Sequence, residues 1–332
     1  MNILYKYKVK AVFCHIIQKG AERVVCHKQK QLEEMVIEAK KHTNKGKVAD
    51  YIPALKEANP SVLALSIFDG AEFCFTAGDS QELFTLQSIS KVLALALAII
   101  DCGEDEVFSK VGMEPTGDPF NSISRLETQV PNKPLNPMIN AGALVVSYLI
   151  KGDSPEHKLE RLLELIRKMT GNDTISYNKE VASSEYLSAD LNRALAYFLK
   201  QHHIIEGEIE DLLQYYTKQC AIELTCHDLA KIGFVIANEG KGFDRNEIII
   251  PVKVARLVKT FMVTCGMYNA SGEFAIKVGI PAKSGVSGGI LGAVPNRLGI
   301  GIYGPSLDEK GNSVAGMKLL ELLSDSFELS IF

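Results

Sequence analysis

No stretch of this 332-residue chain is apolar for long enough to cross a membrane. Its longest apolar run, Val92 to Ile100, falls far short of the roughly 20 residues that a bilayer-spanning helix needs. A secretory signal is missing too. Lys6, Lys8 and Lys10 precede a short apolar patch, Ala11 to Ile17, but Gln18 and Lys19 follow where small cleavage-site residues belong. There is no excess of positive charge. A net charge of -4 and a pI of 6.0, without aromatics interleaved among Lys and Arg, exclude nucleic acid as an expected partner. The seven cysteines form an odd count with no framework, which fits a reducing compartment, and a cytoplasmic protein is expected. Internal repeats and low-complexity segments are also lacking.

Metal-ligand spacing is absent as well. Cys14-His15 and Cys26-His27 pair a thiol with an imidazole, but side chains of adjacent residues diverge on helix and strand alike. His202-His203 and His227 lie in helical patterns with no second ligand at zinc spacing. No metal and no other cofactor is expected.

What is present is an ordinary globular composition, 46% hydrophobic and 23% charged, in a chain long enough for two lobes. Residues 1–30 are mostly basic, lack periodicity and read as a peripheral extension. Leu32, Met35, Val36 and Ala39 then mark a helix that ends at Asn44-Lys45-Gly46. Val62–Phe68 and Ala71–Thr76 read as a hairpin turning on Asp69-Gly70. From Ser88 to about Gly266 the period is almost wholly helical, with Leu159, Leu162, Leu163 and Ile166 on one stripe and Ile209, Leu212, Leu213 and Tyr216 on another. Thr225 caps a further helix that stops near Gly240, and Pro251 opens the next. Phe274–Gly279, Gly289–Val294 and Leu298–Tyr303 read as returning strands, and Val314–Leu323 as a closing helix. The expected architecture is α+β: one antiparallel sheet built from both chain ends and flanked by helices, with an inserted all-helical lobe and a cleft between.

The chemistry centres on Ser88. In Ser88-Ile89-Ser90-Lys91 a hydroxyl and an amine three residues apart share one helix face, and a desolvated lysine can accept the serine proton. The same spacing recurs at Ser176-Tyr177-Asn178-Lys179, which lies in a polar stretch and reads as a turn. Ser88 instead follows the strand-like Leu83–Leu86 and precedes the most apolar helix in the chain. The plain alternative is that Ser88 only caps that helix. Pro281 to Gly289 is a Gly-rich turn whose backbone can approach closely and help form an oxyanion hole with the Ser88 N–H. Asn136 and Asn140 precede a small-residue helix, where one amide could hold a polar substrate and the other cap the helix. Tyr268 stands where the helical block meets the returning sheet and could relay protons.

Ser-x-x-Lys with a later Lys-Ser-Gly resembles serine β-lactamases and penicillin-binding proteins, but their Ser-Asp-Asn element is missing. A closer resemblance runs through Lys47–Pro53, Leu86–Lys91, Asn136–Ala143, Tyr216–Cys220, Met267-Tyr268, Pro281–Gly289 and Gly311-Asn312-Ser313. In that order these segments resemble the glutaminase family, over about residues 31–328. The resemblance implies a β-lactamase-like fold and hydrolysis of L-glutamine to L-glutamate and ammonia. Sheet-lobe segments 31–90 and 267–328 would flank a mainly helical lobe, 91–266. It further implies that Ser88 is the nucleophile, that Lys91 and Tyr268 move its proton, and that the N–H groups of Ser88 and Val286 hold the oxyanion. Tyr51, Gln87, Asn140, Glu185, Asn192 and Tyr216 would contact substrate together with Ser88, Tyr268 and Val286. Glu185 would pair with the α-ammonium, and Asn140 and Asn192 would hold the α-carboxylate. A homo-oligomer, tetramer or dimer, is implied too. The extension before residue 31 matches nothing in the family core, and no ankyrin-type repeats follow it. A β-lactam or ester hydrolase using the same serine, and a non-catalytic amino-acid-binding module, are the alternatives.

Overall fold

In the computed structural model of the chain, residues 28–70, 74–119, 121–128, 132–243 and 247–332 are described. The two N-terminal Cys-His pairs and the body of the basic extension lie outside them. The helices are α1 (28–40), α2 (Ser90–Cys102), α3 (Glu104–Lys110), α4 (Ser124–Thr128), α5 (Asn140–Leu149), α6 (Pro155–Thr170), α7 (Lys179–Leu187), α8 (Asp190–Gln201), α9 (Ile209–Cys220), α10 (Cys226–Ala237), α11 (Val252–Cys265), α12 (Ser271–Lys277) and α13 (Val314–Phe327). The strands are β1 (Ala64–Phe68), β2 (Cys74–Gly78), β3 (Phe84–Thr85), β4 (Ser176–Tyr177), β5 (Ile222–Leu224), β6 (Ala282–Ser284), β7 (Gly289–Val294) and β8 (Leu298–Tyr303).

Five strands form one antiparallel sheet in the order β2-β1-β8-β7-β6, so both ends of the chain contribute to it. One face carries Leu65, Ile67, Ile290, Ile300 and Ile302, which meet the stripe Leu32, Val36 and Ala39 of α1 and Leu319, Leu320 and Leu323 of α13. Alternation along β8 turns Gly299 and Gly301 to the opposite face, where α10 lies directly on the backbone. A Cβ on Gly299 would stand 2.0 Å from the Ala230 carbonyl oxygen and 2.1 Å from the Phe234 nitrogen. Neither neighbour is a flexible side chain. Gly299→Ala is therefore expected to cost about 3 kcal/mol or more, at the upper end of overpacking, and to be read as a lowered denaturation midpoint.

The helical part centres on α2, which is buried on every side from Ser90 to Ile99 and packs against α5, α6 and α11. A second, three-stranded sheet, β3-β5-β4, joins the strand before Ser88 to the helical block. Among the described residues no helix is long and apolar enough to cross a membrane.

Several expectations are corrected. Phe274–Gly279 is no strand but the end of the helix α12 and its C-cap: Phe274 and Val278, four residues apart, share the core while Ile276 is exposed. Alternating apolar residues there suit either period, and packing decides for the helix. Phe68 pairs with Cys74, which is not the register of a two-residue turn at Asp69-Gly70; residues 71–73 of the expected second strand lie outside the described residues. Residues 28–30 belong to α1 and not to the extension. Ser176 is in β4, paired with Glu223, rather than in a turn.

Candidate active site

Ser88 lies in a single 3-10 turn, Gln87–Ile89, between β3 and α2. Its hydroxyl caps neither element, since the N-cap positions are Leu86 and Ile89 and no side chain caps them. The cap reading of Ser88 is thereby removed. Two buried residues without a glycine's freedom hold left-handed backbone here, Gln87 at φ 48° and Tyr268 at φ 53°. Each such conformation costs on the order of 1–3 kcal/mol and persists only where the surroundings enforce it.

The surroundings are the Gly-rich β6–β7 turn. Ser287 Oγ donates to the Thr85 carbonyl at 2.6 Å, and the Gly285 N–H donates to the Gly289 carbonyl at 2.9 Å. A Cβ at Gly285 would come within 2.6 Å of the Leu86 carbonyl oxygen. Only glycine lets this turn sit so close, and the contact fixes Val286 relative to Ser88.

Lys91 follows one turn after Ser88 and is buried. Its Nζ donates to the Met138 carbonyl at 3.1 Å and to Asn140 Oδ1 at 2.7 Å. Asn140 Nδ2 donates in turn to Asn192 Oδ1 at 3.0 Å. Asn136 caps no helix: α5 has Ile139 at its N-cap without a side-chain cap, and the Asn136 Oδ1 accepts from the N–H groups of Met138 and Ile139 in the turn before it. Burial pulls the Lys91 amine down to about 8, with Cys220 and Glu185 opposing that pull. Tyr268 is hydrogen-bonded with Ser88, yet burial pushes its phenol well above the ordinary tyrosine value.

Glu185 was legible from sequence only as a solvated loop residue. It sits inside α7 on the face shared with Val181 and Ala182, 8% exposed. Burial raises its carboxyl to about 7, while hydrogen bonds from Gln87 Nε2, at 3.3 Å, and from Cys220 act the other way. A carboxylate on the apolar face of a helix calls for a cation.

One cavity of about 760 Å³ is lined by Tyr51, Gln87, Ser88, Asn140, Glu185, Asn192, Tyr216 and Val286. Lys91 and Tyr268 do not line it but are bonded to residues that do, Lys91 to Asn140 and Tyr268 to Ser88. Cys220 also lines it, although the Tyr216–Cys220 segment gave that thiol no role. Lys283, fully buried, places its Nζ 4.5 Å from the centre of the Tyr268 ring and donates to the Ser284 carbonyl at 2.5 Å. Sequence reading assigned it nothing, because a lysine in a strand gives no sign of which face is buried.

A family model for glutaminases matches residues 46–332. The chain belongs to the glutaminase family. It is 64% identical over 301 residues to Glutaminase 1 of Halalkalibacterium halodurans, covering 91% of this chain and 98% of that protein. It is 61% identical over 306 residues to the glutaminase of Geobacillus thermodenitrificans, covering 92% and 99%. Among solved structures it is similar to a probable glutaminase from Bacillus subtilis complexed with 6-diazo-5-oxo-L-norleucine. The TM-score is 0.84 at 42% identity, over 91% of this chain and 96% of that one. A Bacillus subtilis glutaminase in covalent complex with 5-oxo-L-norleucine, formed by reaction with the diazo compound, is similar at a TM-score of 0.83 and 42% identity over 91% and 99%. Like other members of this family, the chain is a hydrolase acting on an amide.

Proposed function

We propose that this glutaminase hydrolyses L-glutamine to L-glutamate and ammonia through an acyl-enzyme on Ser88. The observation that carries the reading is the Lys91 amine: two of its three free positions are taken by Met138 and Asn140, and the third, a lone pair in the neutral amine, is left for the serine one turn away. Ser88 Oγ bonds to the side-chain carbonyl carbon as its proton passes to Lys91. Lys91 is the base rather than Tyr268, because burial keeps the phenol protonated, and the phenol bridges the transfer. The N–H groups of Ser88 and Val286 receive the oxyanion. The C–N bond then breaks, the proton is handed to the departing nitrogen, and ammonia leaves. Water cleaves the ester and restores the serine hydroxyl.

Substrate is held by its backbone groups. Glu185 pairs with the α-ammonium, Asn192 and Asn140 donate to the α-carboxylate, and Tyr51, Gln87 and Tyr216 line the rest. The covalent reaction of a Bacillus subtilis relative with a glutamine-shaped diazo ketone supports a covalent route. On this reading residues 31–328 form a β-lactamase-like catalytic domain, with a sheet lobe of 31–90 and 267–328 and a mainly helical lobe of 91–266. It works as a cytoplasmic homo-oligomer, a dimer or tetramer, without a cofactor.

The direct test is glutamate formation from glutamine, with asparagine as competing amide and nitrocefin as a β-lactam substrate. Glutamine turnover alone is expected. Nitrocefin turnover without it would instead select the β-lactam hydrolase, and tight glutamine binding without turnover a binding module. The pH dependence carries a sign. Glu185 is a carboxylate only above about 7 and Lys91 a free amine only above about 8, so acidification removes both working forms. A rise in kcat/KM of roughly tenfold or more from about pH 6 to 9 is expected, and a flat profile would count against this proton path.

A further inference from the structure

We propose that a second cavity, set against the three-stranded sheet, binds a short aliphatic diamine, and that this ligand bears on Val286, which lines the catalytic cavity as well. The effect on turnover, though not the binding itself, rests on Val286 holding the oxyanion.

This cavity measures about 390 Å³ and shares Val48 and Val286 with the catalytic one. Its charge is of one sign. Glu57, Glu82 and Glu223 line it, and among the described residues no Lys, Arg or His does. Among the described residues none of these three carboxylates is in an ion pair. One Glu223 oxygen accepts from Asn178 Nδ2 at 3.1 Å. A concave wall of unpaired carboxylates concentrates cations.

Thr85 points to a ligand independently. It is 3% exposed, and among the described residues its hydroxyl has no hydrogen-bond partner. Thr85 stands opposite Glu223 in the β3–β5 ladder, so both side chains leave the same face of the sheet, and both residues line the cavity. A buried hydroxyl without a partner is costly, and an ammonium group brings the donors it can accept from.

The shape of the charge selects the class of cation. The three carboxylates come from separate segments, and among the described residues no three His, Cys, Asp or Glu side chains are grouped as a metal ion requires. Leu55, Val62 and the Phe84 ring, stacked on Tyr303 at 4.5 Å, give the same wall apolar surface. Dispersed negative charge beside hydrocarbon suits a methylene chain with an ammonium at each end better than a compact ion. The Ser287 hydroxyl, bonded to the Thr85 carbonyl at 2.6 Å, ties this wall to the turn that carries Val286. A turn with empty space behind it can draw back from substrate; a ligand in that space removes the freedom and keeps the N–H donor aimed.

The test is calorimetric titration of the full chain with 1,4-diaminobutane while L-glutamate fills the catalytic cavity, so that Glu185 is closed to amines. A saturable heat is expected, with affinity about tenfold lower or more for n-butylamine and for Glu223→Gln. Glu57 and Glu82 are exposed, so Glu57→Gln and Glu82→Gln keep the fold and are each expected to weaken binding about two- to fivefold. The absence of a saturable heat, an affinity unchanged in all three variants, or a heat seen only without glutamate overturns the site. At saturating glutamine and constant ionic strength the diamine is expected to raise kcat about twofold or more. A raised KM at unchanged kcat places the amine on Glu185 and overturns the inference, and binding with no change in kcat overturns the link to Val286. The titration needs no turnover and is repeated on Ser88→Ala: an inactive variant that still binds the diamine, or an active one that does not, tells a failure of this site from a failure of the acyl-enzyme.

Discussion

Ser88→Ala is expected to lower kcat for glutamine about a million-fold, the scale on which a serine hydrolase loses activity without its nucleophile. The hydroxyl supplies the only protein atom that bonds to the substrate carbon in the proposed route. Its removal should spare the fold, because it caps neither the 3-10 turn nor α2 and surrenders only the hydrogen bond with Tyr268. That bond is worth about 1 kcal/mol. A thermal midpoint within a few degrees of wild type should accompany the loss of ammonia release. Ser88→Ala with substantial turnover would falsify the acyl-enzyme. A glutamine-shaped diazo ketone should likewise leave no covalent mass adduct on this variant.

The second large effect belongs to Glu185. Removing one partner of a buried charge pair costs about 2–5 kcal/mol, so Glu185→Gln is expected to lose roughly 30- to several thousand-fold in kcat/KM. Asparagine should not be rescued, since its α-ammonium makes the same demand. The effect on stability has the opposite sign. Burial raises the Glu185 carboxyl from 4.5 to about 7, so folding free energy is lost as pH climbs between those values and stays lost above them. The neutral amide escapes that cost and still accepts from Gln87 Nε2. At pH 8 Glu185→Gln should melt at or above the wild-type temperature while binding glutamine poorly, and a destabilised variant would place Glu185 in the framework instead.

Both residues show how unequal the sequence signals were. Ser88 could be picked out because its neighbours are legible: a short strand before it, a uniformly apolar helix after it and a Gly-rich turn far along the chain. Glu185 could not, because Val181, Ala182 and Glu185 form a buried helix face only once the 3-10 turn Pro53–Leu55 and α9 close over it; a short helix of mixed polarity gives no such warning. The resemblance to glutaminases supplied that residue, and the burial supplies its physical reason. Lys283 entered the Lys-Ser-Gly resemblance without a role of its own, and Gln87 and Tyr268 reveal their left-handed backbone in no pattern of side chains.

Helical and strand periods are local, set by which side chains a buried face needs, so the helical middle, the sheet from both ends and the position of Ser88 followed from sequence alone. Where alternation and helical spacing coincide, as over Phe274 to Val278, the sequence is silent and the packing of α12 decides. The cavity is a matter of tertiary structure for the same reason. Tyr51, Ser88, Asn140, Glu185, Asn192 and Val286 are far apart in the chain, and only the folding of α7 and α8 against α9, with the β6–β7 turn pressed on Leu86, brings them to one space. The same closure strips water from Lys91, Lys283 and Glu185, and it is that loss of hydration, which no residue type specifies, that sets their charge.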